Sequence, residues 1–116
     1  MSDQTPPIRE VTPDEAEPLL DGGAVLLDVR EDDEWEAGHA PTALHIPMGE
    51  VAGRTAELPA GGNVVCICRG GARSLAVANL LADQGFDPVN LTGGMQAWEA
   101  TGRPVVVEGG GAGQVI

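Results

Sequence analysis

Val64-Val65-Cys66-Ile67-Cys68-Arg69-Gly70-Gly71-Ala72-Arg73-Ser74-Leu75-Ala76-Val77-Ala78-Asn79-Leu80-Leu81 joins a β-type run to a helical one through a short glycine-containing loop. The apolar stretch 64–67 reads as a strand. From Ser74 to Gln84 the apolar residues Leu75, Ala78, Leu81 and Ala82 recur on one helical face, and Gly85 supplies the stop. Loop N–H groups of this kind can curl around one point, and the helix N-terminus aims its positive dipole end at the same place. Cys68 leads the loop, and Arg69 and Arg73 follow it. The arrangement favours a thiolate with an anion beside it, and the thiolate is the nucleophilic form of cysteine, with a pKa of roughly 3.5–7.5 at reactive sites.

Outward from this loop, the chain alternates strand and helix signals. Thr12-Pro13-Asp14-Glu15 is a capping-box pattern, with Thr12 as N-cap and Pro13 at the first helical position. The helix is expected to run toward Leu20, kinked or shortened by Pro18, and to stop at Asp21-Gly22-Gly23. Ala24 to Val29 reads as a strand covered on both faces, with Asp28 and Arg30 at its C-terminal end. That end is the functional edge of open α/β sheets. Glu31 to Ala37 is an acid-rich helical turn ended by Gly38, read as a solvated face with Trp35 turned inward. Ala43 to Pro47 and Pro88 to Leu91 are short strands. Gly49 to Leu58 is a weak helix, and Met95 to Ala100 a last one. Residues 1–7 read as a disordered lead, with no strand before Thr12. Residues 8–107 form one domain, and residues 108–116 a flexible glycine-rich tail with nothing to bury. The pattern implies an α/β fold with right-handed βαβ units and a parallel sheet between helical layers.

With 116 residues there is room for one core. The formal net charge is −12, and all six basic residues are Arg. No basic stripe exists to neutralise phosphates, so no nucleic-acid partner is expected. No apolar run approaches the roughly 20 residues of a membrane span. The polar start lacks a basic-then-apolar signal, which makes a cytoplasmic location the expectation. Cys66 and Cys68 point the same way on a strand, with Ile67 opposite. A disulfide between them would be strained, and the pair alone makes no zinc site. Cys66 is read as a small buried hydrophobe, with a resolving thiol for Cys68 as the alternative. Arg69 and Arg73 are read as an anion site in preference to surface partners of carboxylates. No metal or organic cofactor site is visible.

A leading Cys on a strand–loop–helix suits sulfur transfer through a persulfide, or phosphoryl transfer. The cradle of cysteine phosphatases and arsenate reductases closes with Arg six positions after the Cys. Here Ser74 holds that position and Arg73 precedes it. The smaller amide ring suits a sulfur atom better than a tetrahedral phosphate.

Four blocks then stand in order: Asp28-Val29-Arg30; Gly38-His39-Ala40-Pro41 with Ile46-Pro47; Cys68 to Ser74; and Gly93-Gly94-Met95-Gln96-Ala97-Trp98. Together they resemble the rhodanese-like domain family, over about residues 8–107. The resemblance implies a small three-layer α/β domain with a central, mostly parallel five-stranded sheet. It implies a thiosulfate-type sulfurtransferase in which Cys68 is the sulfur-accepting nucleophile. The backbone of Arg69, Gly70, Gly71, Ala72, Arg73 and Ser74 would cradle the persulfide, and Arg69 and Arg73 would orient an anionic donor such as thiosulfate. The acceptor would be cyanide, a small thiol or a protein thiol; a relay module serving protein partners is the second reading. Asp28 and Arg30 are expected to anchor the loop network, and His39 to be structural, since an existing thiolate needs no general base. His45 is read as structural too. Ala40, Thr42 and His45 depart from the residues commoner in the family.

Overall fold

The computed structural model describes residues 7–116, so all of the expected lead except Pro7 lies outside the described residues. The elements are β1 (Arg9–Val11), α1 (Pro13–Asp21), β2 (Val25–Asp28), α2 (Asp32–Ala37), β3 (Leu44–His45), β4 (Asn63–Ile67), α3 (Ala72–Asp83), β5 (Asp87–Leu91) and α4 (Gly94–Ala100). The capping box forms as the sequence specifies: Glu15 N–H donates to Thr12 Oγ1 at 3.2 Å, and Thr12 N–H to Glu15 Oε1 at 2.9 Å. Pro18 sits inside α1, which continues past it to Asp21. Residues 49–58 form 3₁₀ segments, Met48–Gly53 and Thr55–Glu57, in place of the expected α-helix.

All five strands are parallel, in the order β1-β5-β4-β2-β3. The fifth strand is β1, where no strand was expected. It pairs Arg9, Glu10 and Val11 with Val89, Asn90 and Leu91. Strand β4 lies at the centre and alternates strictly. Val64 and Cys66 enter one cluster with Leu27, Val29, Val77, Ala78 and Leu81; Val65 and Ile67 enter the other with Val11, Ala16, Met95 and Trp98. Helix α3 therefore covers one face, and α1 with α4 the other, which is why the central strands carry uninterrupted apolar runs. From β2 the chain moves outward to β3, and from β4 it moves the opposite way to β5. The switch point lies between β2 and β4, and Cys68 follows the C-terminal end of β4, where such sheets place their sites.

The expected free tail is a correction. Gly113 N–H donates to Val105 C=O at 2.8 Å, Val107 N–H to Gly111 C=O at 2.8 Å, and Gln114 N–H to Ala37 C=O at 3.0 Å. Val106 and His39 exchange backbone hydrogen bonds, each 2.9 Å. Glycine-rich composition leaves little side chain to bury, but the main chain supplies its own partners.

Asp28 and Arg30, both fully buried, form the polar element on which α2 rests. Arg30 Nε donates to Asp28 Oδ1 and Nη2 to Oδ2, at 3.0 and 2.8 Å. The same guanidinium donates from Nη1 to Glu34 C=O at 3.2 Å and from Nη2 to Gly38 C=O at 2.8 Å. Removing one partner of such a pair strands a buried charge, at a cost of about 3–5 kcal/mol. Arg30→Met should therefore lower the urea-unfolding free energy by about that amount, and the double variant with Asp28→Asn should recover part of the loss. Additive losses in the two single variants would show that the ion pair is not the unit of stability.

Candidate active site

Helix α3 begins without a side-chain cap. Its N-cap is Gly71, at φ 115°, a left-handed conformation that glycine adopts without strain. The first amides of a helix have no partner within it. Here the Cys68 sulfur takes the place of the cap: Gly71 N–H donates to Sγ at 3.1 Å and Ser74 Oγ–H at 3.2 Å. The backbone N–H groups of Ser74 and Gly70 also favour the sulfur as an anion.

The loop carbonyls are drawn away from the sulfur by neighbouring elements. At the start of α4, Met95 N–H donates to Cys68 C=O at 2.7 Å and Gln96 N–H to Arg69 C=O at 3.1 Å. Gly94 makes this approach possible, because a Cβ there would meet the Cys68 carbonyl and stand 2.6 Å from that of Arg69. Gly71 C=O accepts from Asn90 Nδ2 at 3.0 Å and from Leu75 N–H at 3.2 Å. With the oxygens held outward, donors converge on the sulfur.

The electrostatic outcome follows. Burial of Cys68, which is 1% exposed, pushes its pKa up. Hydrogen bonds from the Ser74 hydroxyl and from the amides of Ser74, Gly71 and Gly70 favour the anion and outweigh burial, so the net direction is down. Cys66 lacks such donors, and burial pushes it up to about 12. It is a hydrophobe of the core, protonated at neutral pH.

The two loop arginines differ from the expectation of a pair of free cations. Arg73 forms a bidentate pair with Glu34, Nη1 to Oε1 at 2.7 Å and Nη2 to Oε2 at 2.9 Å. That hydrogen-bonded pair holds the Glu34 carboxyl down to about 2 and moves Arg73 up. Arg69 is exposed, and its Nε donates to the Ile116 main-chain oxygen at 2.8 Å. Gly70 and Ala72 are also exposed along the loop.

Asp28 and Arg30 stand behind the site and touch it through α2. His39 Nδ1–H donates to Trp35 C=O, 2.8 Å away, and the ring stacks on Trp35 at 3.6 Å between centroids. His45 stacks on the same indole at 4.7 Å. Both histidines are thus engaged in packing α2. Glu34 and Asn90 are site residues the sequence reading missed. Asn90 carried a signal, a polar residue inside the apolar strand Val89-Asn90-Leu91; Glu34 is one acid in an acidic run and carried none.

Comparisons with known proteins point to one family. A profile of the rhodanese-like domain matches residues 12–101. The YtwF protein of Bacillus subtilis is 46% identical over 79 residues, covering 68% of this chain and 77% of that protein. The thiosulfate sulfurtransferase GlpE of Pseudomonas savastanoi pv. phaseolicola is 31% identical over 102 residues, covering 87% of this chain and 96% of that one. The crystal structure of a rhodanese-related protein from Thermoplasma volcanium superposes with a TM-score of 0.79 at 30% identity, over 86% of this chain and 99% of the other.

The thiolate geometry predicts a pH profile. Alkylation of Cys68 by iodoacetamide should rise with pH through a midpoint below the ordinary 9.0, and Ser74→Ala should move the midpoint up. Cys66 should stay unmodified; a midpoint at or above 9.0 in the parent protein would contradict the donor set. The Glu34 carboxyl makes stability depend on pH at the acid end. Its folded pKa lies below the usual 4.5, so its stabilisation is complete above 4.5 and fades as pH falls toward 2. Glu34→Gln should make unfolding free energy less pH-dependent across that window; an unchanged slope would contradict the pairing.

Proposed function

The chain belongs to the rhodanese-like domain family, and from that premise we propose that it is a sulfurtransferase working through a persulfide on Cys68, with a sulfane donor such as thiosulfate. The observation that carries this reading is the pair of donors on Cys68 Sγ, Gly71 N–H at 3.1 Å and Ser74 Oγ at 3.2 Å. They stabilise sulfur as an anion both before attack and after the thiolate is regenerated.

In the first half-reaction the Cys68 thiolate attacks the outer sulfur of thiosulfate. A bond forms between Sγ and that sulfur, the thiosulfate S–S bond breaks, and its electron pair leaves with sulfite. The terminal sulfur of the Cys68 persulfide is now the anion, and the loop amides are the donors available to it. In the second half-reaction a thiophilic acceptor (cyanide, a small thiol or a protein thiol) attacks that terminal sulfur. The Cys68 thiolate departs into the same donors. Electrons balance without an external oxidant, so the reading requires no metal or organic cofactor. Such free thiols suit a reducing compartment such as the cytoplasm.

Phosphoryl transfer is the poorer fit. Ser74 occupies the position where a phosphate cradle needs Arg, and its hydroxyl is spent on Sγ. The preceding Arg73 is committed to Glu34. Neither is placed to gather three phosphate oxygens.

Incubation with thiosulfate, removal of excess reagent and intact-mass measurement should show one added sulfur atom. Cyanide should remove it as thiocyanate, and Cys68→Ala should never acquire it. A wild-type mass unchanged by thiosulfate and by an organic persulfide would overturn the reading.

A further inference from the structure

We propose that Glu34 sets the donor preference of this site, by cancelling the charge of Arg73 and so favouring sulfane donors of low charge over dianionic thiosulfate. The inference rests on the sulfur-transfer reading and narrows its substrate class.

Arg73 stands on the first turn of α3, next to Ser74, whose hydroxyl touches the sulfur. The charge of Cys68 acts on Arg73. A dianion approaching Cys68 would gain from a free guanidinium there. Instead, both terminal nitrogens point at the two Glu34 oxygens, in a fork at 2.7 and 2.9 Å. The carboxylate side chain is 14% exposed and that of Arg73 34%, so solvent weakens their mutual attraction little. The pair presents almost no net charge to a ligand.

The remaining cations do not replace it. Arg9 opens β1, beside the starts of β4 and β5 and so at the strand ends opposite to Cys68; Arg30 is buried against Asp28, and Arg54 is paired with Glu50 and Glu57. Arg103 is paired with Asp14 and Glu17. Arg69 is left at the loop itself, exposed, with its Nε on the Ile116 oxygen. Glu31 adds a negative charge within reach of Arg73, and the whole chain carries −12. A dianionic donor therefore meets one cation in a negative field. A hydropersulfide, a monoanion at most, meets less opposition, and its terminal sulfur uses the same amide donors.

Glu34 is held in place independently of Arg73. Its Oε1 accepts from Glu31 N–H at 3.0 Å, and its carbonyl accepts from the buried Arg30. A glutamine can keep both bonds and one bond to Arg73 while removing the charge. Glu34→Gln is thus a change of electrostatics on a retained frame.

The test compares kcat/KM for thiosulfate with that for an organic hydropersulfide whose substituent is uncharged, a monoanion at most, under one acceptor. In Glu34→Gln the ratio of thiosulfate to hydropersulfide use should rise roughly five- to tenfold, from one unit charge exposed near a dianion. The gain should appear in KM and shrink as salt is raised. Arg73→Gln should move the ratio the other way, because the Glu34 carboxylate is then unopposed. A ratio unchanged or lowered in Glu34→Gln would overturn the assignment, as would equal losses with both donors in Arg73→Gln. Failure of wild-type Cys68 to accept sulfur from either donor would remove the sulfur-transfer reading itself, a result separable from a flat ratio.

Discussion

The hold of α4 on the loop carbonyls is the constraint from which the site follows. Met95 and Gln96 lie in the first turn of α4, where amides have no partner within the helix, and they spend them on Cys68 C=O and Arg69 C=O. A short loop of backbone cannot offer both its oxygens and its amides to one point. Fixing the oxygens on α4 and on Asn90 leaves the amides for the sulfur. The same contact explains why position 94 is glycine, since any side chain would push the two elements apart. It also explains how a residue 1% exposed can have a lowered pKa: local donors offset the desolvation that alone would raise it.

Around this centre the support is layered. The buried Asp28–Arg30 pair fixes the main chain of α2 at Glu34 and Gly38. Helix α2 then carries the Glu34 carboxylate to Arg73 on α3. A charge buried beyond the end of β2 thereby decides where a guanidinium at the mouth may point, through two hydrogen-bonded links. On the other side, the segment after α4 returns along His39 and Ala37 and brings the Ile116 oxygen to Arg69. Both cations of the loop are thus positioned by partners distant in sequence.

What could be read in the sequence divides along physical lines. The Cys68 loop, its strand and its helix were legible because local signals agree: an apolar run, glycines, and helical periodicity stopped by Gly85. The Thr12 box was legible for the same reason. Strand β1 was not. It has three residues, of which Arg9 and Glu10 are exposed, and it exists through pairing with β5. The 3₁₀ segments follow a chain held by Pro47 and Pro59 and too short of apolar periodicity for an α-helix. Residues 108–116 looked unanchored because anchors were sought among side chains, whereas their bonds are between main-chain groups. Glu34 could not be told from Asp32, Asp33 or Glu36, because only tertiary structure faces it toward Arg73.

The central claim is that backbone amides and one hydroxyl bind the Cys68 sulfur as an anion. It is tested most directly by following the amide proton resonances of Gly70, Gly71 and Ser74 as Cys68 ionises. The account predicts that all three move downfield together, with one midpoint below 9.0, and that Cys68→Ala abolishes the transition. Resonances that stay flat, or that follow a midpoint at or above 9.0, would contradict it.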